Sequence, residues 1–255
     1  MQTKQLLSIK ISLGTYTDFI DTLIRQTLPG QFSYTCVANV HMLIEAYKDL
    51  AFAAIVNNAT IVTPDGQPLA WALKFLYGIK QPRVAGMDLL PDLLSVSEEK
   101  CIPVFFYGGT DAMQHATKNH LASKYPNLKI AGMYSPPFRP LNEAEEKTIL
   151  NMINNSGARI IFVALGCPKQ EKWMASLKGK VNAAIIGIGG ALPVLIGMQK
   201  RAPKWMQRAG LEWFFRLCLE PRRLFKRYAI TNSLFIYLVL KEKLSFKKYS
   251  EKHVC

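Results

Sequence analysis

The feature that most constrains the fold is a repeated order of short apolar run, turn and helical pattern. Apolar runs at residues 60–62, 102–107, 159–165 and 183–188 each end at a turn containing glycine, and helical patterns follow the first three. Strands that alternate with helices in this way are typical of parallel βαβ units. Continuous apolar runs are typical of strands buried on both faces. The sequence therefore predicts an α/β fold, with a mostly parallel sheet flanked by helices.

The composition of the chain changes near Lys200, beyond which aromatic and basic residues interleave. Residues 200–255 contain 14 basic and 4 acidic residues, which leaves 18 and 14 for residues 1–199, so most of the net charge of +14 is in the last part. Two or three helices are expected there, with a break at Pro221. We predict a core domain at residues 1–199 and a helical, basic-aromatic C-terminal appendage at residues 200–255.

Three interpretations of this appendage remain open on composition alone. Its cations and rings could bind an anionic membrane surface, contact phosphates and stack on nucleic-acid bases, or form an ordinary helical face packed on the core. The density of apolar residues favours the membrane surface. The most apolar stretch, residues 229–240, has 12 residues. Because spanning a bilayer takes about 20, we expect no crossing.

Several classes of protein and site are disfavoured. The five cysteines are odd in number and form no CxxC, so we expect no disulfides, which fits a reducing cytosol. The four histidines lack zinc-like spacing, so we expect no metal site. The first residues lack the apolar core of a signal peptide. Asp-x-Asp, GxxxxGK[ST] and GxSxG patterns are absent from the sequence, which argues against a metal-clamped diphosphate, a P-loop and a nucleophile elbow.

Four turns follow the predicted strands, at the edge of a parallel sheet where ligands bind. They are Asp65-Gly66, Gly108-Gly109, Gly166-Cys167-Pro168 and Gly189-Gly190. Glycine lets the backbone approach phosphate oxygens, which indicates a nucleotide or phosphate site, but glycine also simply makes tight turns. Asp65 could be a general base, or a capping residue in a common Pro-Asp-Gly turn. From these residues alone, both pairs of alternatives stay open.

An ordered set of motifs resembles one family, the WecG/TagA/CpsF glycosyltransferases (family 26), over about residues 5 to 230. The motifs are Asn39, Thr63-Pro64-Asp65-Gly66, Arg83-Val84-Ala85-Gly86-Met87-Asp88-Leu89, Tyr107-Gly108-Gly109, Leu165-Gly166-Cys167-Pro168-Lys169-Gln170-Glu171, Gly187-Ile188-Gly189-Gly190, Lys200-Arg201-Ala202-Pro203, Gly210-Leu211-Glu212-Trp213-Phe214-Phe215-Arg216-Leu217 and Glu220-Pro221-Arg222-Arg223. Each motif is weak alone, whereas their order is specific.

The resemblance implies a Rossmann-like core with a membrane-docking appendage. It implies an inverting, metal-independent enzyme without a cofactor, which transfers a hexose-type sugar (N-acetylmannosamine, its uronic acid or a similar sugar) from a nucleotide-sugar donor, for which we prefer a UDP-sugar. The acceptor would be a polyprenyl-diphosphate-linked sugar, used for a cell-surface polysaccharide or a cell-wall polymer. The enzyme would be peripheral, at the cytoplasmic face of an anionic membrane, with no nucleic acid as partner; a homo-oligomer is compatible with the sequence.

The resemblance also implies roles for single residues. Asp65 matches the proposed catalytic base, while Asn39, Arg83 and Gln170 would bind substrate. The strand-end residues would bind the nucleotide, with backbone N–H groups near the leaving diphosphate; they are Tyr107, Gly108, Gly109, Gly187, Gly189 and Gly190. Four arginines would bind the acceptor diphosphate or the membrane: Arg216, Arg222, Arg223 and Arg227.

Two positions depart from the family pattern, and two other functions remain as alternatives. Val37 stands where the family often has Thr, and Leu192-Pro193 replaces a common aromatic-Asp pair, which bears on donor identity. The alternatives are a soluble nucleotide-binding oxidoreductase and a non-catalytic nucleic-acid-binding protein. The first lacks a dinucleotide fingerprint, because residues 187–192 do not form GxGxxG; the second fits the positive charge.

Overall fold

The computed structural model describes the backbone of residues 1–251 and the side chains of residues 1–245. Residues 252–255 of the predicted appendage, with His253 and Cys255, lie outside the described residues. The described chain contains an antiparallel hairpin and a six-stranded sheet whose neighbouring strands are all parallel. Helices pack on this sheet, so the predicted α/β, Rossmann-like fold is confirmed.

The strands of the main sheet lie in the order β4-β3-β8-β7-β5-β6. The hairpin consists of β1 (Gln2–Leu6) and β2 (Ile9–Leu13), and the sheet of β3 (Ser33–Ala38), β4 (Ile61–Pro64), β5 (Val104–Gly108), β6 (Ile130–Tyr134), β7 (Ile160–Ala164) and β8 (Ala184–Gly187). The four predicted strands correspond to β4, β5, β7 and β8. Strands β1, β2, β3 and β6 were not predicted.

The helices of the core and of the appendage follow in chain order. They are α1 (Tyr16–Arg25), α2 (Val40–Lys48), α3 (Leu50–Asn57), α4 (Gln67–Tyr77), α5 (Gly86–Glu99), α6 (Asp111–Lys124), α7 (Glu143–Ser156), α8 (Lys169–Ser176), α9 (Ala191–Leu195), α10 (Lys204–Arg208), α11 (Glu212–Leu219) and α12 (Pro221–Glu251). The described part of the appendage thus has three helices, and the last of them begins at the predicted break, Pro221.

Side chains that alternate along each strand divide the core into two layers, one on each face of the sheet. On β5, Phe105 and Tyr107 join the layer that also includes α2, α4 and α8, whereas Val104 and Phe106 join the layer of α1 and α5. Helix α12 contributes to the first layer through Phe235, Leu238 and Val239, which are all buried. The appendage helix therefore packs on the core over its middle third.

The parallel arrangement brings the carboxyl ends of the strands to one edge, where the predicted site residues lie. On neighbouring strands β3 and β4, Ala38 pairs with Pro64, and the Asp65 N–H donates to the Ala38 carbonyl at 2.8 Å. Asn39 and Asp65 therefore follow paired strand ends. No described helix is both long and apolar enough to cross a membrane, and the described cysteines are free thiols.

Candidate active site

Asp65 is a partly buried carboxyl group at the start of the β4–α4 turn. Its Oδ1 accepts a hydrogen bond from the backbone N–H of Gly86 at 3.1 Å. Burial and the nearby Glu212 carboxylate raise the pKa of Asp65 to about 6, against the opposing effect of Arg216 and Arg83. A carboxylate with a pKa in this range is ionised at neutral pH and is a stronger base than an ordinary aspartate.

A network of ion pairs joins the appendage to the core beside Asp65. The Arg83 guanidinium contacts Glu212 Oε2 at 2.6 Å and Asp88 Oδ2 at 3.1 Å. Asp88 also binds Arg201 through its other oxygen at 2.5 Å. Arg83 lies in the loop between α4 and α5, Asp88 in the first turn of α5, and Glu212 at the start of α11. Arg83 is thus held at the site by a carboxylate of the appendage.

Arg216 brings a positive charge of the appendage to the end of β8. Its guanidinium nitrogens lie 3.4 and 3.6 Å from where a side chain on Gly190 would begin. The same guanidinium interacts with the Tyr228 hydroxyl, and the Tyr228 ring meets Trp213 edge-on, with ring centroids 5.9 Å apart. Gly190 therefore makes room for this arginine, which two appendage helices position.

Asn39 and Gln170 each hold a backbone group in place. The Asn39 side chain caps α2 by accepting from the Met42 N–H at 3.1 Å. Gln170 is 4% exposed, and its Oε1 accepts from the Gly189 N–H at 3.1 Å. Their predicted contacts with substrate stay predictions. Gln170 has a defined structural contact in any case, because it fixes the loop after β8.

The glycines at the strand ends allow segments of the backbone to pack closely, in addition to the predicted approach of phosphate oxygens to the backbone. A side chain on Gly108 would begin 2.6 Å from the carbonyl oxygen of Ala164, and φ there is +109°. A side chain on Gly187 would overlap Gln170. The N–H groups of Gly109 and Gly189 already donate to the carbonyls of Ala164 and Val163. These two N–H groups are therefore engaged within the protein, so they are poor donors to a leaving diphosphate.

Tyr107 lies inside the core rather than on the surface of the site. Its side chain is 1% exposed and stacks on Trp173 with ring centroids 3.9 Å apart. Tyr134 stacks on it at 6.0 Å. Burial raises the pKa of the Tyr107 phenol well above its usual range. The ring therefore shapes the end of β5 from beneath, and its contact with a nucleotide stays a prediction.

The other three predicted arginines lie in the first two turns of α12. Arg222, Arg223 and Arg227 are exposed, and Arg223 Nε contacts Glu220 Oε2 at 2.5 Å. Burial and the nearby Arg227 lower the pKa of His41, at the start of α2. Arg227 therefore lies near the start of α2, and the predicted binding of diphosphate or membrane by all three arginines stays a prediction.

The two departures from the family pattern place apolar residues in or beside the core. Val37 is 7% exposed, and its Cγ1 lies 3.3 Å from where a side chain on Gly86 would begin. Leu192, which replaces the aromatic residue, is 1% exposed and belongs to the core layer beneath the end of β8, whereas Pro193, which replaces the Asp, is partly exposed. Val37 therefore offers apolar packing in place of a hydroxyl, and Pro193 offers no carboxylate.

Sequence reasoning assigned no role to Glu212, Asp88, Arg201 or His41. The first three lie inside quoted motifs, so the available signal was their position in those motifs, but Glu212 contacts Arg83, and Arg201 contacts Asp88, across more than a hundred residues of chain. Among the described side chains, no group of three or more His, Cys, Asp or Glu could hold a metal ion. Independence of the reaction from metal stays a prediction.

The fold brings one carboxylate with a raised pKa, Asp65, together with Arg83 and Arg216 at the carboxyl edge of a parallel sheet. The family model described as Glycosyl transferase WecG/TagA/CpsF family matches residues 4–249. The chain belongs to this family and is a glycosyltransferase, as its ordered motifs predicted. Family membership argues against both the oxidoreductase and the non-catalytic alternatives.

Similar proteins carry one shared name, N-acetylglucosaminyldiphosphoundecaprenol N-acetyl-β-D-mannosaminyltransferase. The protein of Bacillus subtilis (strain 168) is 31% identical over 255 residues, which cover 99% of this chain and 96% of the relative. That of Bacillus spizizenii (strain ATCC 23059 / NRRL B-14472 / W23) is 30% identical, with 97% and 95% covered. That of Staphylococcus aureus (strain NCTC 8325 / PS 47) is 27% identical, with 84% and 82% covered.

Proposed function

We propose that this chain transfers N-acetylmannosamine from UDP-N-acetylmannosamine to N-acetylglucosaminyl-diphosphoundecaprenol. The names of relatives that match nearly the whole chain support the sugar and the acceptor. The observation that carries the chemistry is Asp65, a base with a pKa of about 6 at the strand edge. UDP as the leaving group rests on the family resemblance, and Leu192-Pro193, which replaces an aromatic-Asp pair, leaves the donor contacts at that position to be tested.

The reaction is a single displacement at the anomeric carbon. An acceptor hydroxyl gives its proton to the Asp65 carboxylate while its oxygen forms a bond to that carbon. The bond from the carbon to the diphosphate oxygen breaks, and its electron pair leaves with the nucleoside diphosphate. From an α-linked donor this displacement yields a β-linked product, which agrees with the β-D configuration in the relatives' name.

Arginine side chains would stabilise the negative charge that develops on the leaving diphosphate. Arg216 lies against Gly190 at the end of β8, and Arg83 lies beside Asp65. Guanidinium groups bind phosphate oxygens in pairs, and fixed charges at a partly desolvated site stabilise a developing charge more than solvent does. We therefore expect transfer to persist without a divalent metal ion.

The acceptor's lipid requires the enzyme to work at a membrane surface. Exposed arginines and exposed aromatic side chains share the first turns of the appendage helices, such as Arg222, Arg223, Phe214 and Phe225. Cations that meet anionic headgroups beside rings that enter the interface are typical of peripheral binding. We infer peripheral attachment through the appendage at the cytoplasmic face.

The proposal is tested by incubating the purified chain with UDP-N-acetylmannosamine and N-acetylglucosaminyl-diphosphate on a short lipid. We expect a product heavier by one N-acetylhexosamine, β-linked by NMR, and formed equally with a chelator present. UDP-N-acetylglucosamine and other nucleotide sugars serve as competing donors. Transfer of a different sugar, or from a different nucleotide, would replace the proposed donor. Loss of transfer in the chelator would overturn metal independence.

A further inference from the structure

An apolar groove of about 400 Å³ runs between α4 and α12. Its described lining residues are Val40, Pro68, Trp71, Ala72, Phe75, Trp213, Asn232, Phe235, Ile236, Val239 and Leu240. All but Asn232 are apolar. Ala72, Phe235 and Val239 are buried at its floor, whereas Trp71, Phe75, Ile236 and Leu240 are about half exposed along its rims. A surface that is concave, apolar and open is shaped to take an apolar ligand.

One end of the groove adjoins the candidate active site. Val40 follows Asn39 directly, Pro68 comes three residues after Asp65, and Trp213 follows Glu212. The Trp213 ring meets Tyr228, which in turn interacts with Arg216. The groove therefore begins where the appendage closes over the strand edge.

The other end of the groove is fixed by contacts between the C-terminal end of α4 and a later part of α12. The Tyr77 hydroxyl donates to Glu242 Oε1 at 3.0 Å, and Lys243 Nζ donates to the Phe75 carbonyl at 2.8 Å. Because Tyr228, early in α12, interacts with Arg216 near the site, while these contacts lie late in both helices, α4 and α12 both run away from the site. From Asn232 to Leu240, helical rise gives a length of about 12 Å.

Along α12, from its start near the site, the side chains change from cationic to apolar. Its first two turns carry Arg222, Arg223 and Arg227 near the strand edge, and the groove-lining residues follow one and more turns later. A ligand lying along the helix would meet cations first and an apolar channel next. This order matches a diphosphate joined to a hydrocarbon chain.

We propose that the α4–α12 groove binds the first isoprenoid units of the lipid-linked acceptor, next to its diphosphate. This inference rests on the proposed function for the identity of the acceptor. A bilayer surface would press on protruding side chains, whereas a single linear chain fits a concave channel with a buried floor. The groove would hold the acceptor's lipid on the protein while its sugar hydroxyl reaches Asp65.

The test compares two acceptors with the same N-acetylglucosaminyl-diphosphate head in detergent, one with a long polyprenyl tail and one with a tail of one isoprenoid unit. The variant Phe75→Ala/Ile236→Ala shortens two rim side chains. We expect kcat/KM to fall about tenfold for the long tail, because apolar contact area is lost, and to stay unchanged for the short one. Tyr237→Ala is the control, since Tyr237 is 59% exposed beside Ile236 and does not line the groove.

Other outcomes would overturn the groove assignment. Equal loss with both tails would mean that the two residues serve folding or catalysis, which thermal unfolding separates. If kcat/KM of the double variant were unchanged with both acceptors, the groove would not bind the lipid. If the double variant no longer bound vesicles but still preferred the long-tailed acceptor in detergent, this face would be a contact with the bilayer.

A binding measurement keeps the inference separate from the proposed function. Farnesyl diphosphate should change the fluorescence of Trp71 and Trp213, which line the groove, and bind at least tenfold more tightly than inorganic diphosphate. The double variant should lose that advantage. If farnesyl diphosphate binds in this way while no mannosaminyl transfer is found, the proposed reaction fails and the groove assignment stands. If transfer is found and farnesyl diphosphate binds no better than diphosphate, the groove assignment fails alone.

Discussion

The environment that would make Asp65 a good base, as proposed, is also costly for the stability of the fold. Burial and the Glu212 carboxylate raise its pKa from 3.8 to about 6. Its folded pKa therefore lies above its unfolded pKa, so the folded state binds the proton more tightly. Stability linked to Asp65 is full below pH 4 and is lost as pH rises through about 6. At neutral pH the charged carboxylate destabilises the fold by up to about 3 kcal/mol.

We predict that Asp65→Asn lowers the transfer rate by 10²-fold or more, about the contribution of a general base, while it raises the melting temperature at pH 7. The gain in stability should vanish at pH 4, because Asp65 is then neutral. Asp49→Asn is the control. Asp49 caps α3, and hydrogen bonds from the Phe52 and Ala51 N–H groups lower its pKa, so its removal should destabilise the fold above pH 4. A rate for Asp65→Asn near that of the unaltered protein would remove Asp65 as the base.

At the scale of elements, α11 supplies a charge that the core's site depends on. Glu212 pairs with Arg83 at 2.6 Å and raises the pKa of Asp65. The position of α11 is thereby coupled to the base, although α11 and Asp65 are about 150 residues apart. If the proposed reaction holds, seating of the appendage sets the basicity of Asp65.

We predict that Glu212→Gln moves the acidic limb of the pH–rate profile below pH 6, because it removes a negative charge that holds the proton on Asp65. The melting temperature should fall as well, since Arg83 loses a charged partner. Glu220→Gln is the matched control: Glu220 is also an appendage carboxylate paired with an arginine, Arg223, but it is not among the groups that shift the pKa of Asp65. If the acidic limb of the pH–rate profile lay at the same pH in both variants, Glu212 would not control the pKa of Asp65.

The elements also show what could be read from the sequence. Strands β5, β7 and β8 are continuous apolar runs because helices cover both of their faces, so pattern alone predicts them. Strand β3 is equally buried and pairs with a strand on each side, but it reads Ser33-Tyr34-Thr35-Cys36, so polar side chains interrupt the apolar run that pattern alone would detect. Strand β6 lies at the sheet edge and is only partly buried, so its pattern is weak.

The candidate site divides in a similar way. Asp65 was a candidate because it follows a strand, which is local information, and the family resemblance supplied its proposed role as the base. The pairing of Arg83 with Glu212 joins residues 129 positions apart, and the engagement of the Gly189 N–H by Gln170 depends on how α8 packs under β8. No local pattern encodes these contacts, because they arise only when the appendage and the helices are assembled.

At the scale of the whole molecule, charge and apolar surface coincide on the appendage. The chain carries +14, and residues 200–255 hold 14 of its 32 basic residues against 4 of its 18 acidic ones. Exposed rings of Trp205, Phe214 and Phe225 lie among these cations. Because Phe235, Leu238 and Val239 of α12 are part of the core, truncation at residue 200 would also uncover apolar core surface. Membrane binding is therefore better tested by changing surface charges in the full chain.

We predict that Arg222→Glu/Arg223→Glu/Lys226→Glu releases the full chain from anionic vesicles. Each basic residue near the surface contributes about 1 kcal/mol, so reversing three weakens binding by more than about 100-fold, measured by sedimentation at low salt. Lys118→Glu/Lys124→Glu/Lys129→Glu gives the same change in net charge on exposed core positions and should stay bound.

Equal release of both variants would mean that net charge alone drives binding, and retention of both would exclude electrostatic docking. Binding of oligonucleotides as tight as that of vesicles would favour the nucleic-acid interpretation of the appendage. The membrane interpretation requires that the position of the charges matters, because Arg222, Arg223 and Lys226 lie on the helix whose first turns are near Arg216, whereas Lys118, Lys124 and Lys129 lie in or just after α6 of the core.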